Sequence, residues 1–241
     1  MILKILNYIR EVKWLFLLQH SHVRVNRNAT LSKGKNVRII SSNIFLSSKA
    51  KLMIKDNVRI SNVSIYISDG DFTIGKDSIV EGLGYNKSVY IVNTGSIHIA
   101  DHVKCNVKRI WVRFMGNLNI GSYTNINDGS EIRADESVTI GNYNQISYEV
   151  NIWDTNTHNI YSPEKRAEIT RKYYPYYGFE YEKPKTAPIH IGDNCWIGER
   201  SSILKGTFIG DNVIVGYNTL LSNVKIDKNK KVVQKNEIRI L

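Results

Sequence analysis

The sequence predicts an all-β chain, a three-sided parallel β-helix wound from six-residue repeats. Two observations carry that expectation. Aliphatic residues at Ile191, Ile197, Ile203, Ile209, Val215 and Leu221 recur every six positions without a slip, a period that neither an amphipathic helix nor an alternating strand produces. Glycine follows at Gly192, Gly198, Gly210 and Gly216, and the fifth place of each hexad holds Cys195, Ser201, Thr207, Val213 or Thr219, all small or β-branched.

Such a beat suits a coil with three flat faces. The aliphatic residue points into a narrow triangular core, and the small residue beside it lets the chain turn the corner. One coil cannot bury its own aliphatic side chains, so successive coils must stack and hydrogen-bond along each face. The beat recurs less perfectly at Ile74, Ile99, Ile120, Ile126, Ile132, Ile140, Ile146 and Ile152. The step from Ile132 to Ile140 is two residues too long, which marks a loop. Short β-rich runs from Val37 to Ile40, Lys51 to Ile54, Val58 to Ile60 and Val63 to Ile67 read as degenerate coils. Residues 25–226 are therefore expected to form one solenoid, with a C-terminal tail over 227–241.

Residues 1–24 are expected to form an amphipathic N-terminal helix or cap. Large apolar residues dominate Met1 to Leu18, but Lys4, Arg10, Glu11 and Lys13 interrupt them. That argues against a spanning helix, which needs about 20 mostly apolar residues, and no small-residue cleavage site of a secretory signal follows. Packing on the end of the core is one reading, and peripheral attachment of residues 1–18 to the inner membrane face is the other.

The beat stops between Asn159 and Pro188. A tyrosine-rich segment, with Tyr161, Tyr173, Tyr174, Tyr176, Tyr177 and Tyr181, fills the gap. Aperiodic loops of this length are usually functional or disordered, and the aromatic content argues against disorder. Residues 159–188 are thus expected to be an inserted loop.

Apolar residues make up 42% and charged residues 23% of the 241, the balance of a folded, non-polytopic chain. The net charge of +11 favours an anionic partner, but no zinc-finger spacing, helix-turn-helix or RNA-binding signature accompanies it, so nucleic acid is not expected. Cys105 and Cys195 are far apart and in no metal-ligand spacing, which predicts neither a disulfide framework nor structural zinc and fits the cytoplasm.

Among the histidines, only His158 stands where the coil gives way to the long insert. An imidazole held at a coil edge beside a water-excluding loop suits a general base. The run Ile152-Trp153-Asp154-Thr155-Asn156-Thr157-His158-Asn159 supplies a carboxylate and amides near enough in sequence to orient it.

The run from Ile191 to Gly198, followed by Ser202 to Gly216, resembles the distal half of the galactoside and maltose O-acetyltransferases and of bacterial capsule, O-antigen and sialic-acid O-acetyltransferases, over roughly residues 120–225. That resemblance implies a left-handed coil, against the usual hand of parallel crossovers. It also implies acetyl-CoA as donor, a carbohydrate acceptor, a homotrimer with sites between subunits, and no metal. His158 takes the general-base role by position, within an Asp-x-x-x-His segment that begins at Asp154. Asn127 and Asp135 align with acceptor-binding positions, Asp154 is expected to contact the acceptor with them, and Trp196 aligns with a ring beside donor and acceptor. Coenzyme A contacts are implied at Gly198, Glu199, Gly216, Tyr217 and Ser222, with Lys205 as a phosphate partner. Two departures stand out: Glu199 replaces a small residue and Tyr217 replaces alanine. Tyr173 and Tyr176 in the insert are expected to stack on the acceptor sugar.

Other readings of the same scaffold are a nucleotide-sugar N-acetyltransferase, a serine-type acetyltransferase and a non-catalytic scaffold. A γ-type carbonic anhydrase is disfavoured, since His98, His102 and His158 lack the spacing of its zinc site.

Overall fold

The hexad isoleucines and valines turn inward along three flat faces. In the computed structural model, which describes residues 18–47, 49–83, 87–175 and 182–235, every strand pairs in parallel with the strand one coil before or after it. The first face is a ten-stranded sheet running from Leu18–Gln19 to Lys231–Val232. The other two faces join into one sixteen-stranded sheet, because Val63–Ile74 and Ser88–Ile99 run unbroken around the corner between them.

Register follows the beat. Ile126, Ile146, Ile197 and Val215 stack inside the first face, Ile132, Ile152, Ile203 and Leu221 inside the second, and Ile140, Ile191, Ile209 and Ile226 inside the third. All are buried, and each such side chain contributes about 1.5–3 kcal/mol relative to exposure. The handedness of the backbone sets the corners. At the corner between the third and first faces, Asn194, Asn212 and Asn229 adopt positive φ, which Asn tolerates better than most residues. Their amides bond from coil to coil at 2.8 and 3.0 Å. Higher in the same column the ladder changes chemistry: His102, Tyr123 and Tyr143 stack at 4.7 and 5.3 Å. Gly95, at φ +117°, has no substitute, since a Cβ there would lie 2.1 Å from the Gly116 carbonyl oxygen.

The structure moves the expected boundaries. Strand pairing begins at Leu18, and His22–Val25 already pairs with Asn43–Leu46, so the solenoid starts inside the range assigned to the cap. Val23 packs partly buried against the core, which explains why. Residues 1–17, where the N-terminal helix and its membrane contact are expected, lie outside the described residues. At the other end Lys231–Val232 still pairs with Ile214–Val215, so the coils continue into the expected tail. The insert is not wholly irregular. It holds helix α1, Pro163–Tyr173, opened by a Ser162 cap and Pro163 in the first turn, with Glu164 at its start and Arg171 and Lys172 at its end. Those residues are helix start and stop signals that lie outside the six-residue beat. No residue of α1 is buried.

No helix among the described residues is long and apolar enough to cross a membrane. Cys105 and Cys195 are both buried and unpaired.

Candidate functional site

The insert leaves and rejoins the solenoid at the corner between the second and third faces, through a narrow neck. Thr155 and Thr186 form an antiparallel bridge. Around it the Asn156 N–H donates to the Lys185 carbonyl and the Ala187 N–H to the Asp154 carbonyl, each at 3.0 Å. Asn159 Nδ2 donates to the Glu182 carbonyl at 3.1 Å. The neck is tied to the coils on both sides: the Thr186 hydroxyl bonds the Glu136 carboxylate, and the Gly206 N–H lies 3.2 Å from the carbonyls of Ala187 and Pro188. His158 is exposed on the outgoing arm of this neck.

Beneath the neck the corner is polar and sealed. Arg113 grips Asp135 with two bonds, Nε–Oδ1 at 2.9 Å and Nη2–Oδ2 at 2.6 Å, and its guanidinium lies 4.5 Å from the Trp111 ring centre. One coil further on, the buried Asp154 carboxylate accepts the backbone N–H groups of Asp135, Glu136 and Ser137 at 2.7 to 2.8 Å. Burial pushes Asp154 up to about 6, against the pull of those three donors. This column fixes the corner from which the neck departs.

Beside it runs a second set of contacts that reaches the base of the candidate histidine. Glu131 accepts from Arg109 at 2.8 Å and also from Arg133. Arg133 lies 4.2 Å over the Trp153 ring, and its Nη1 donates to the Thr157 hydroxyl at 2.9 Å. Thr157 has φ +69°, a true outlier for a β-branched residue. Its own N–H is held by Thr155 Oγ1 at 3.0 Å. Strain of this kind, of order 1–3 kcal/mol, persists only where the surroundings over-determine it.

The structure separates residues that the sequence grouped. Asp135 and Asp154, expected to bind acceptor, are instead fully buried, with their oxygens committed to Arg113 and to backbone N–H groups; the corner needs them more than a ligand can reach them. Asn127 is half-buried on the first-face corner and accepts from Asn125 at 3.1 Å. Trp196, 55% exposed, sits on the first face, across the triangle from the neck, with Nε1 3.4 Å from Ser147 Oγ. Gly198, Glu199, Gly216 and Tyr217 follow at the corner between first and second faces. There Arg200 links Glu149 at 2.9 Å to the Tyr217 hydroxyl at 3.0 Å. Lys205 and Ser222 belong to the neck's own corner, where the Asn223 N–H donates to the Lys205 carbonyl at 3.0 Å. Tyr173 ends α1, with the Lys172 ammonium 5.3 Å from its ring centre; Tyr176 lies outside the described residues.

Arg113, Glu131, Arg133 and Trp153 escaped sequence reading. Their partners lie one coil away, so only a coil-by-coil alignment of outward positions would have paired them. Cys195 is no nucleophile: burial raises its thiol, and Sγ is turned to the Gly210 carbonyl at 3.2 Å. His98, His102 and His158 fall on a face and two different corners, and no group of three or more His, Cys, Asp or Glu among the described residues is arranged to hold a metal.

Coils of this register, with an insert at one corner, define a left-handed parallel β-helix of hexapeptide repeats. Residues 188–223 match the bacterial transferase hexapeptide (six repeats) model. The chain is similar, at 29% identity over 133 residues, to the Escherichia coli (strain K12) protein WbbJ, named as a lipopolysaccharide biosynthesis O-acetyl transferase. The match covers 55% of this chain and 65% of that relative, just under two thirds of its length. Two solved structures share the fold at a TM-score of 0.54. The polySia specific acetyltransferase NeuO is 16% identical, with 91% of this chain and 84% of that one covered. The Arabidopsis UDP-N-acetylglucosamine acyltransferase is 14% identical, with 83% and 59% covered.

Proposed function

We propose that this protein transfers an acetyl group from acetyl-CoA to a hydroxyl of a bacterial surface carbohydrate, with His158 as general base. The observation that carries the reading is the braced neck, which holds an exposed imidazole beside a long insert on a transferase-type solenoid. The lipopolysaccharide role in the name of WbbJ supports the acceptor class.

In this mechanism His158 accepts the proton of the acceptor hydroxyl as that oxygen attacks the thioester carbonyl. The carbon–sulfur bond then breaks, and the imidazolium returns its proton to the departing thiolate. The products are an O-acetyl ester and free coenzyme A. General base catalysis of this type contributes about a hundred- to ten-thousand-fold, and fixing both substrates contributes much of the rest.

The donor-binding residues inferred from the resemblance fall into two sets in one chain. Lys205 and Ser222 share the corner of His158, whereas Trp196, Gly198, Glu199, Gly216 and Tyr217 lie on the far side. A homotrimer resolves the division, because one copy's far side then meets the neck of the next. Tyr173 and Tyr176 of the insert would then flank the acceptor.

The test is acceptor-dependent thiol release from acetyl-CoA over a panel of bacterial polysaccharides. His158→Ala is expected to lower kcat by about a hundredfold or more while the fold persists. Undiminished release by a folded His158→Ala protein would remove that residue as the base.

A further inference from the structure

All of the chain's net charge resides in its first half. Residues 114–241 hold fifteen lysines and arginines against fifteen aspartates and glutamates, whereas residues 18–113 hold fifteen against six. The neck and its insert belong to the neutral half, so the charge serves something other than the neighbourhood of His158.

Within the basic half, coil stacking usually sets opposite charges against one another. Lys51 is in register with Asp71, 3.7 Å away, and Arg109 with Glu131, 2.8 Å away. Arg38 and Arg59 break the pattern. They are register partners on the first face, both exposed, and neither has a carboxylate partner among the described residues. Like charges directly opposite in adjacent strands are destabilising, so an arginine pair left in this arrangement is held against stability.

The two guanidinium groups line a groove of about 790 Å³ together with Gln19, Asn36, Asn57 and Asp77. The Asp77 carboxylate is already engaged, accepting from Asn57 at 2.7 Å and facing His102 at 3.9 Å. Asn57 is engaged as well, accepting from the Asn36 amide at 3.0 Å. What remains among the described residues is the two guanidinium groups, which outweigh the single Asp77 charge, the Gln19 carboxamide and the Asn36 carboxamide oxygen. Arginine matches carboxylates with a planar fork of donors, and carboxamides both donate to and accept from hydroxyls. Among the described residues no aromatic ring lines the groove for a base to stack on, and no large exposed apolar side chain offers a wedge for a bilayer.

We propose that this groove, within the basic first coils, docks an acidic polysaccharide through its carboxylates. The polymer is held on the first coils while its hydroxyls are presented to the distal half. The proposal rests on the carbohydrate reading of the function, yet binding is measured without turnover.

The experiment is calorimetry of the full chain with polygalacturonate, with dextran as the neutral control, at low and raised salt. Wild type is expected to bind polygalacturonate and not dextran, and to weaken as salt screens the contact. The Arg38→Gln/Arg59→Gln double variant is expected to lose about tenfold or more in affinity. Its thermal midpoint should be unchanged or higher, because a like-charge pair is gone. His158→Ala should bind as wild type does, and wild-type binding without any acceptor-dependent turnover would count against the catalytic reading alone. Three results would overturn the proposal: no binding of polygalacturonate, equal binding by the double variant, or tighter binding to phosphatidylglycerol vesicles or oligothymidylate.

Discussion

Arg133 reaches from one coil to the next and donates to the Thr157 hydroxyl at 2.9 Å, one residue before His158. The guanidinium is itself fixed by Glu131 and by the Trp153 ring, so a rigid wall dictates the backbone from which the histidine projects. Arg133→Ala is therefore expected to lower kcat by about tenfold to a hundredfold, since small misplacements of a catalytic group are costly. KM for acetyl-CoA should hardly move, and Arg133→Lys should recover part of the loss. Steady-state kinetics separating kcat from KM checks this; an equal rise in KM would assign Arg133 to substrate binding.

Asp154 makes stability depend on pH in an unusual direction. Its folded value, about 6, lies above the ordinary 3.8. Between these values the folded chain keeps a proton that the unfolded chain has released, so stability falls as pH rises through that window. Thermal midpoints measured from pH 4 to 6 should show the decline. Asp154→Asn should remove the slope while lowering stability at every pH, because the three N–H donors lose their best acceptor.

The Arg113–Asp135 pair predicts a marked asymmetry. Arg113→Ala leaves a buried carboxylate unpaired and is expected to cost about 3–5 kcal/mol, whereas replacing both partners with apolar residues of similar volume should cost far less. Denaturant unfolding of the single and double variants measures the difference.

Separation of Trp196 from the neck predicts complementation. Mixed assemblies of His158→Ala and Trp196→Ala chains should recover activity, at about a quarter of the wild-type level for random trimers with sites between subunits. Activity no greater than that of either variant alone would tie both residues to one chain.

The hexads were legible because a six-residue period has few physical causes, and Ile191 to Leu221 kept it without a slip. The insert was legible as its interruption. What escaped were contacts that cross coils: Arg113 to Asp135 and Arg133 to Thr157 span more than twenty residues, and local spacing carries no trace of them. Asp135 was placed at the acceptor by resemblance alone, and nothing in the slip before Ile140 betrays that its carboxylate folds under Arg113. Helix α1 differs, since Ser162 and Pro163 mark its start locally and a six-residue period carries no such signal.

Gln145 pairs with Trp196 across fifty-one residues in the same register in which Trp196 pairs with Ile214 across eighteen. The solenoid is therefore indifferent to what is spliced between Trp153 and Ile189, provided the two ends meet. Host and guest can change independently, so new acceptor preferences can arise by exchanging the guest while the host's thread count, and with it the stacking of every later turn, stays as it was.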